Sequence, residues 1–174
     1  MGLDARVLFY FNAGGVTPAM ATSHVGQGSD YALAVLDADK KPFDGAKTYK
    51  VHLPPNVPVN DFWAFTMYDT QTGQLFPTVG SQTAGMKKND DGSYDIYFGP
   101  KAPTGKEGNW LQTVPGKSWF TILLMYGPLE PWIAKTQRPS KIELVKEQEF
   151  LQFQNTRAAF CKGSGPLHEK QNRM

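Results

Sequence analysis

The sequence predicts a mainly β fold, a two-layer antiparallel sandwich. Aromatic residues make up 13% of the chain, beside 17 glycines and 13 prolines, a mixture that suits strands joined by turns. Several short segments alternate apolar and polar residues with the period of two that a half-buried strand requires. The densest aromatic run, Asn60–Gln74, follows Pro54, Pro55 and Pro58 and leads into a turn at Gly73, so it reads as a central strand.

The bulk properties bound the answer. A chain of 174 residues fits one domain and can bury a core without disulfides or metals. Its 40% hydrophobic and 20% charged residues are those of a globular protein. The net charge is +2, from 18 basic and 16 acidic residues scattered along the chain, which argues against nucleic acid as a partner. Cys161 is the only cysteine, which excludes an internal disulfide and a cysteine metal cage. No motif for a cofactor or metal is present, and no stretch is long and apolar enough for a membrane span. Asp4 and Arg6 interrupt the N-terminus before any signal-peptide core can form, so the expected location of the chain as it stands is cytoplasmic. Arg6 also occupies the position where a myristoylation signal carries Ser or Thr.

Residues 1–30 are expected to form an N-terminal helix and a loop. Leu3, Val7, Leu8 and Phe11 share one helical face, Asp4 suits the helix start, and Gly14-Gly15 ends it. That apolar face needs a covering partner. Ser23–Asp30 is a glycine-containing loop, whose Gly26-Gln27-Gly28 spacing fits no phosphate-binding pattern. Residues 31–147 are expected to be the sandwich. Tyr31–Asp37 is its first strand, with Ala32, Ala34 and Leu36 on one face and Tyr31, Leu33 and Val35 on the other. Turns follow at Asp37–Lys41 and around Asp44-Gly45. In Thr48–Leu53, Tyr49, Val51 and Leu53 point inward, while His52 lies on the polar face. In the central strand both faces are apolar: Phe62, Ala64, Thr66 and Tyr68 on one, Trp63, Phe65 and Met67 on the other. Such a strand is covered on both sides. Asp69 begins a turn in which its carboxylate accepts backbone N–H bonds.

Residues 75–92 read as a connection with a weak edge strand, ending in the turn Asp90-Asp91-Gly92. Ser93–Phe98 and Asn109–Val114 are further strands, and Trp119–Tyr126 is the most apolar strand, again on both faces. Pro128–Pro139 holds Trp132 in a segment too rich in proline for a long helix. Ser140-Lys141-Ile142-Glu143 matches a capping box, and with Val145, Leu151 and Phe153 it predicts a short C-terminal helix. Residues 148–174 are expected to be a partly disordered extension.

The candidate ligand-binding residues are His24, Asp61, Trp110 and Trp132. His24 sits in a flexible loop; the two tryptophans lie in loop-rich contexts from which an indole can stack on a sugar or other ring. Together they make a binding module for a carbohydrate or another small organic ligand one expectation. A hydrolase or lyase working through carboxylates is the alternative, with Asp61, Asp69 and Asp95 as its acids. Asp61 and Asp69 lie about 26 Å apart along one strand, so they do not pair with each other. No catalytic serine elbow or zinc-protease motif is present. A third expectation is an interaction module, forming a homodimer or docking on a missing partner through its uncovered apolar surface.

An ordered series of blocks carries a resemblance. It runs from Arg6–Phe11 and Gly15–Met20 through Phe43–Gly45, Thr48–Lys50, Asp61–Trp63, Tyr68-Asp69 and Asn89–Ser93. It continues in Tyr97–Pro100, Gly108–Gly116, Trp119-Phe120 and Tyr126–Pro131. Over residues 4–147 the chain resembles the C-terminal half of proteins that carry the DUF1254 and DUF1214 domains, with the DUF1214 part at about 35–145. The resemblance implies a jelly-roll-like sandwich, a separate N-terminal half upstream on which this chain would dock, and relatives that are often exported. The chain then looks like a truncated or split member. It departs from the family pattern at Leu124, where Arg is common, and at Gln137, where Trp commonly precedes Arg-Pro. The family supplies no established catalytic residues.

Overall fold

The computed structural model describes residues 5, 7 and 22–145. Among them the chain forms strands β1 (Ser29–Ala34), β2 (Phe43–Asp44), β3 (Tyr49–Leu53), β4 (Val59–Asp69) and β5 (Leu75–Gly80). Then come β6 (Tyr94–Gly99), β7 (Trp110–Gln112), β8 (Ser118–Pro128), a one-turn helix α1 (Glu130–Ile133) and β9 (Glu143–Leu144). One sheet runs β1-β8-β4-β5, with β2 also paired to β8; the other runs β7-β6-β3-β9. The pairings are antiparallel, except that β7 lies parallel to β6.

The alternation in the sequence places the core. Trp63, Phe65 and Met67 of β4 and Trp119, Leu123 and Met125 of β8 are buried against Tyr49, Val51, Leu53, Ile96 and Phe98 of the facing sheet. Phe98 stacks on Trp119 at 4.9 Å and meets Phe65 edge-on at 5.7 Å, so one ring joins the two layers. Phe43 stacks on the other part of this cluster, 4.1 Å from Trp119. Each such side chain contributes roughly 1.5–3 kcal/mol by leaving water.

The opposite face of the first sheet is also apolar. In register, Tyr31 lies beside Leu124 and Ala64, and Leu33 beside Ile122 and Thr66. Phe62 stacks on Tyr126 at 4.1 Å and Tyr68 on Phe120 at 5.2 Å. Tyr31 and Leu33 are 60% and 62% exposed. The expected cover on both sides of β4 therefore holds for its inner face; outside, Phe62, Ala64 and Tyr68 are half-buried.

The first strand begins earlier than expected, since Ser29 and Asp30 already pair with Tyr126 and Met125, and ends earlier, since Leu36 instead forms a bridge with Pro42. The capping box at 140–143 does not start a helix. Ser140 Oγ accepts the His52 N–H at 2.9 Å, Ser140 N donates to His52 O, and Glu143–Leu144 pairs with Tyr49 and Lys50. A capping box satisfies two backbone donors, whereas this pairing also covers the open edge of β3. Any continuation towards Leu151 and Phe153 lies outside the described residues, as does the extension at 148–174. Of the expected N-terminal helix only Ala5 and Val7 are described, both helical and exposed. Among the described residues no helix is long and apolar enough to cross a membrane.

Candidate functional site

The sheets part along one side, between the β1 edge of the first and the 139–142 segment of the second. There a cleft of about 480 Å³ opens. Its floor is the core itself: Val51, Phe65 and Leu123, all nearly fully buried, with Ile142 from the far wall. The small side chains of Ala32 and Ala34 leave the space that a larger residue on β1 would fill. The volume lies within the range of small-molecule sites.

The walls are tied together. Asp37 organises the turn after β1: its Oδ1 accepts the Asp39 and Lys41 N–H groups, both at 2.9 Å, and its N–H donates to Lys41 O. Lys40 closes this turn in the left-handed region, at φ 64°. Ala38 N then donates to Ile142 O at 2.9 Å, joining the turn to the opposite wall. The two hydroxyls that line the cleft, Thr121 at the floor and Ser140, exposed on the far wall, are already used. Thr121 Oγ1 donates to Thr66 O at 3.0 Å, and Ser140 Oγ donates to Lys141 O at 2.8 Å while accepting from His52 N. What remains is the rim, where Lys40 and Lys141 line the opening, both exposed. Among the described residues neither forms an ion pair.

The residues singled out from the sequence lie elsewhere and apart from one another. His24 is exposed in the loop before β1, bridged to Gln27. Asp61 is exposed at the start of β4 and lines a smaller, polar pocket of about 210 Å³ with Ser81, Lys88 and Tyr94. Trp110 is half-buried and its indole N–H donates to Gly99 O at 2.9 Å. Trp132 is 2% exposed; its N–H donates to Asp30 Oδ2 at 3.0 Å and the Arg138 guanidinium lies 4.1 Å over its ring. Trp132 therefore has no exposed ring for a sugar. Neither His24 nor Trp110 lines the cleft or the polar pocket.

The three carboxylates considered for acid–base work are likewise separate. Asp69 is buried in its turn, where Lys117 Nζ donates to Oδ2 at 2.8 Å and the N–H groups of Gln71 and Thr72 donate to Oδ1. The Lys117 bond first, and these N–H groups next, hold its pKa down at about 2. It stays ionised and caps a turn. Asp95 pairs with His52, Oδ1 to Nδ1 at 2.8 Å, across directly opposed positions of β3 and β6. This pair was legible only in part: alternation put His52 outside, but register alone put Asp95 opposite it. Nearby Asp91 has its carboxyl held below the ordinary range, chiefly by the Ser93 hydroxyl and N–H and to a lesser extent by His52. Among the described residues no group of three or more His, Cys, Asp or Glu side chains converges to hold a metal ion.

The residues that line the cleft were not foreseen as a site. The one available signal was the unusual run of small residues on β1, Ala32 and Ala34, facing a core of large ones.

A family model described as a protein of unknown function, DUF1214, matches residues 28–130. The chain belongs to the DUF1214 family. The β1 wall of the cleft and its floor lie within this DUF1214 region, whereas the far wall, residues 139–142, lies beyond it. Among solved structures, this DUF1214 protein is similar to the VPA0106 protein of Vibrio parahaemolyticus at 26% identity, with a TM-score of 0.57 over 68% of this chain and 31% of that one. It is also similar to an uncharacterised protein from Burkholderia cenocepacia at 15% identity, with a TM-score of 0.46 over 80% and 39% of the two chains. The chain thus spans less than two-fifths of the length of either structure. No curated protein matches it.

Proposed function

We propose that this DUF1214 domain is a binding module for a small apolar organic molecule, held in the cleft between β1 and residues 139–142. The observation that carries the proposal is the opening of about 480 Å³ that reaches Val51, Phe65 and Leu123, where the one hydroxyl at the floor, that of Thr121, already donates to Thr66 O. An apolar ligand there removes hydrocarbon surface from water at roughly 25 cal/mol per Å². A carbohydrate fits this lining poorly, because its hydroxyls would be left without partners on an apolar floor. The carboxylate hydrolase alternative has less support, since Asp61, Asp69 and Asp95 serve separate local contacts. In the same reading the two sheets are halves of a jelly-roll-like sandwich whose open side is the binding mouth.

Titration with the neutral fluorophore phenylnaphthylamine tests this. The native chain is expected to bind it with a saturable rise in emission, and Ala34→Phe to weaken binding at least tenfold while circular dichroism stays unchanged. Saturable binding unaffected by Ala34→Phe, or no binding at all, would count against the cleft.

A second reading, self-association, rests on the outer face of the first sheet. Its outward side chains on the paired stretches of β1, β4 and β8 between Tyr31–Leu33, Phe62–Tyr68 and Phe120–Tyr126 include no charge, so a second copy meets no like-charge repulsion there. Leu124, where the resembling family commonly has Arg, sits in this face opposite Tyr31. Light scattering is expected to give a dimer that Leu33→Glu converts to a monomer; a native monomer would remove this reading.

A further inference from the structure

We infer that the cleft takes an anionic amphiphile, its apolar chain against the core and its anionic head, most simply a carboxylate, between Lys40 and Lys141. This rests on the cleft being a binding site. Orientation follows from where polarity lies. At the floor Thr121 has already donated its hydroxyl to Thr66 O and its neighbours Val51, Phe65 and Leu123 are apolar, so a charged head placed inward would lose its water with no side chain to replace it. The head must stay at the mouth.

The mouth is positive. Lys40 comes from one wall and Lys141 from the other, and the Ala38–Ile142 hydrogen bond of 2.9 Å fixes the two backbones relative to each other. The left-handed conformation of Lys40 is held by its N–H bond to Asp37 O at 3.0 Å, so its side chain leaves from a defined point rather than a loose loop. The acid that lines the cleft is Asp37, and one of its oxygens is occupied by two backbone N–H groups. Asp39 and Glu143 lie nearby in sequence, yet neither lines the cleft nor forms an ion pair with either lysine. Two lysines and one carboxylate line the cleft, and that carboxylate's Oδ1 is engaged within its own turn, so the balance of charge favours an anion. A neutral head gains nothing from it, and a cationic head is repelled.

Competition on the full chain separates these possibilities. Decanoate, decanol and decylamine share one chain length and differ in head charge; each is titrated against bound phenylnaphthylamine well above the carboxylate pKa. Decanoate is expected to compete about tenfold better than decanol, the gain of a charge-assisted contact, and decylamine to be the weakest. In the Lys40→Gln/Lys141→Gln double variant the decanoate preference should fall to about one while decanol competes as before. Equal competition by decanoate and decanol in the native chain, or a preference that survives the double substitution, would overturn the anionic head and leave the apolar cleft standing. Failure of all three to compete would overturn both.

Discussion

The two sheets share a core and differ on their outer faces. In β3 and β6 the strands bury Tyr49, Val51, Leu53, Ile96 and Phe98 and turn Lys50, His52 and Asp95 outward. In β4 and β8 the buried Trp63, Phe65, Leu123 and Met125 alternate with Phe62, Ala64, Leu124 and Tyr126. The first pair has nearly the ordinary pattern of an antiparallel sheet with one face in water, with Tyr97, opposite Lys50, the buried exception on that face. The second has the pattern of a sheet with something on both sides. Between β1 and residues 139–142 the cleft reaches down to the core. The polar sheet closes the molecule, and the apolar one leaves it two surfaces for further contact.

The strongest test of the shared core is Phe98→Ala, which removes the ring that joins the layers. It is expected to cost about 3–5 kcal/mol in denaturant unfolding. A cost below about 1 kcal/mol would mean that the sheets hardly depend on each other. The contrast between faces is sharpened by two adjacent leucines. Leu123→Ala, on the buried side, should cost about 2–5 kcal/mol. Leu124→Ala, on the outward side, should cost about 1 kcal/mol or less. Equal costs would show that the outer face is as fully packed as the inner one.

Acid probes the buried turn at the end of β4. The folded pKa of Asp69, at about 2, lies below its ordinary value of 3.8. Its contribution to stability is therefore complete above the ordinary value and is lost as pH falls through about 2. Lys117→Met removes the largest cause of the depression, so the Asp69 carboxyl should titrate closer to its ordinary value by NMR. The acid unfolding limb should move to higher pH with it. An unchanged titration would deny Lys117 that role. The smallest effect is expected at His52–Asp95, a partly exposed cross-strand pair: Asp95→Asn should change stability by about 1 kcal/mol or less. A larger loss would make that face more than a solvated surface.

Much of the fold was legible because alternation is a local property. Tyr49, Val51 and Leu53 had to share a face, and so did Trp63, Phe65 and Met67. The Asp69 turn was legible for the same reason, since its N–H donors lie two and three residues along the chain. The helix expected from the Ser140 capping box was overruled by a partner 88 residues away, His52, because the open edge of β3 offered pairing that local propensity cannot anticipate. Trp132 looked available in a proline-rich segment and is buried, with Asp30, distant in sequence, receiving its N–H bond.

By itself the sequence determined the β class, the inward and outward sides of the main strands and the turn chemistry, since each depends on residues within a few positions of one another. Only the tertiary structure decided which strands are neighbours, that Asp95 faces His52, and that Ala32, Phe65, Leu123 and Ile142 meet around one opening. These are consequences of long-range pairing and of how two sheets sit against each other, and no short stretch of chain encodes the distance between its own edge and another.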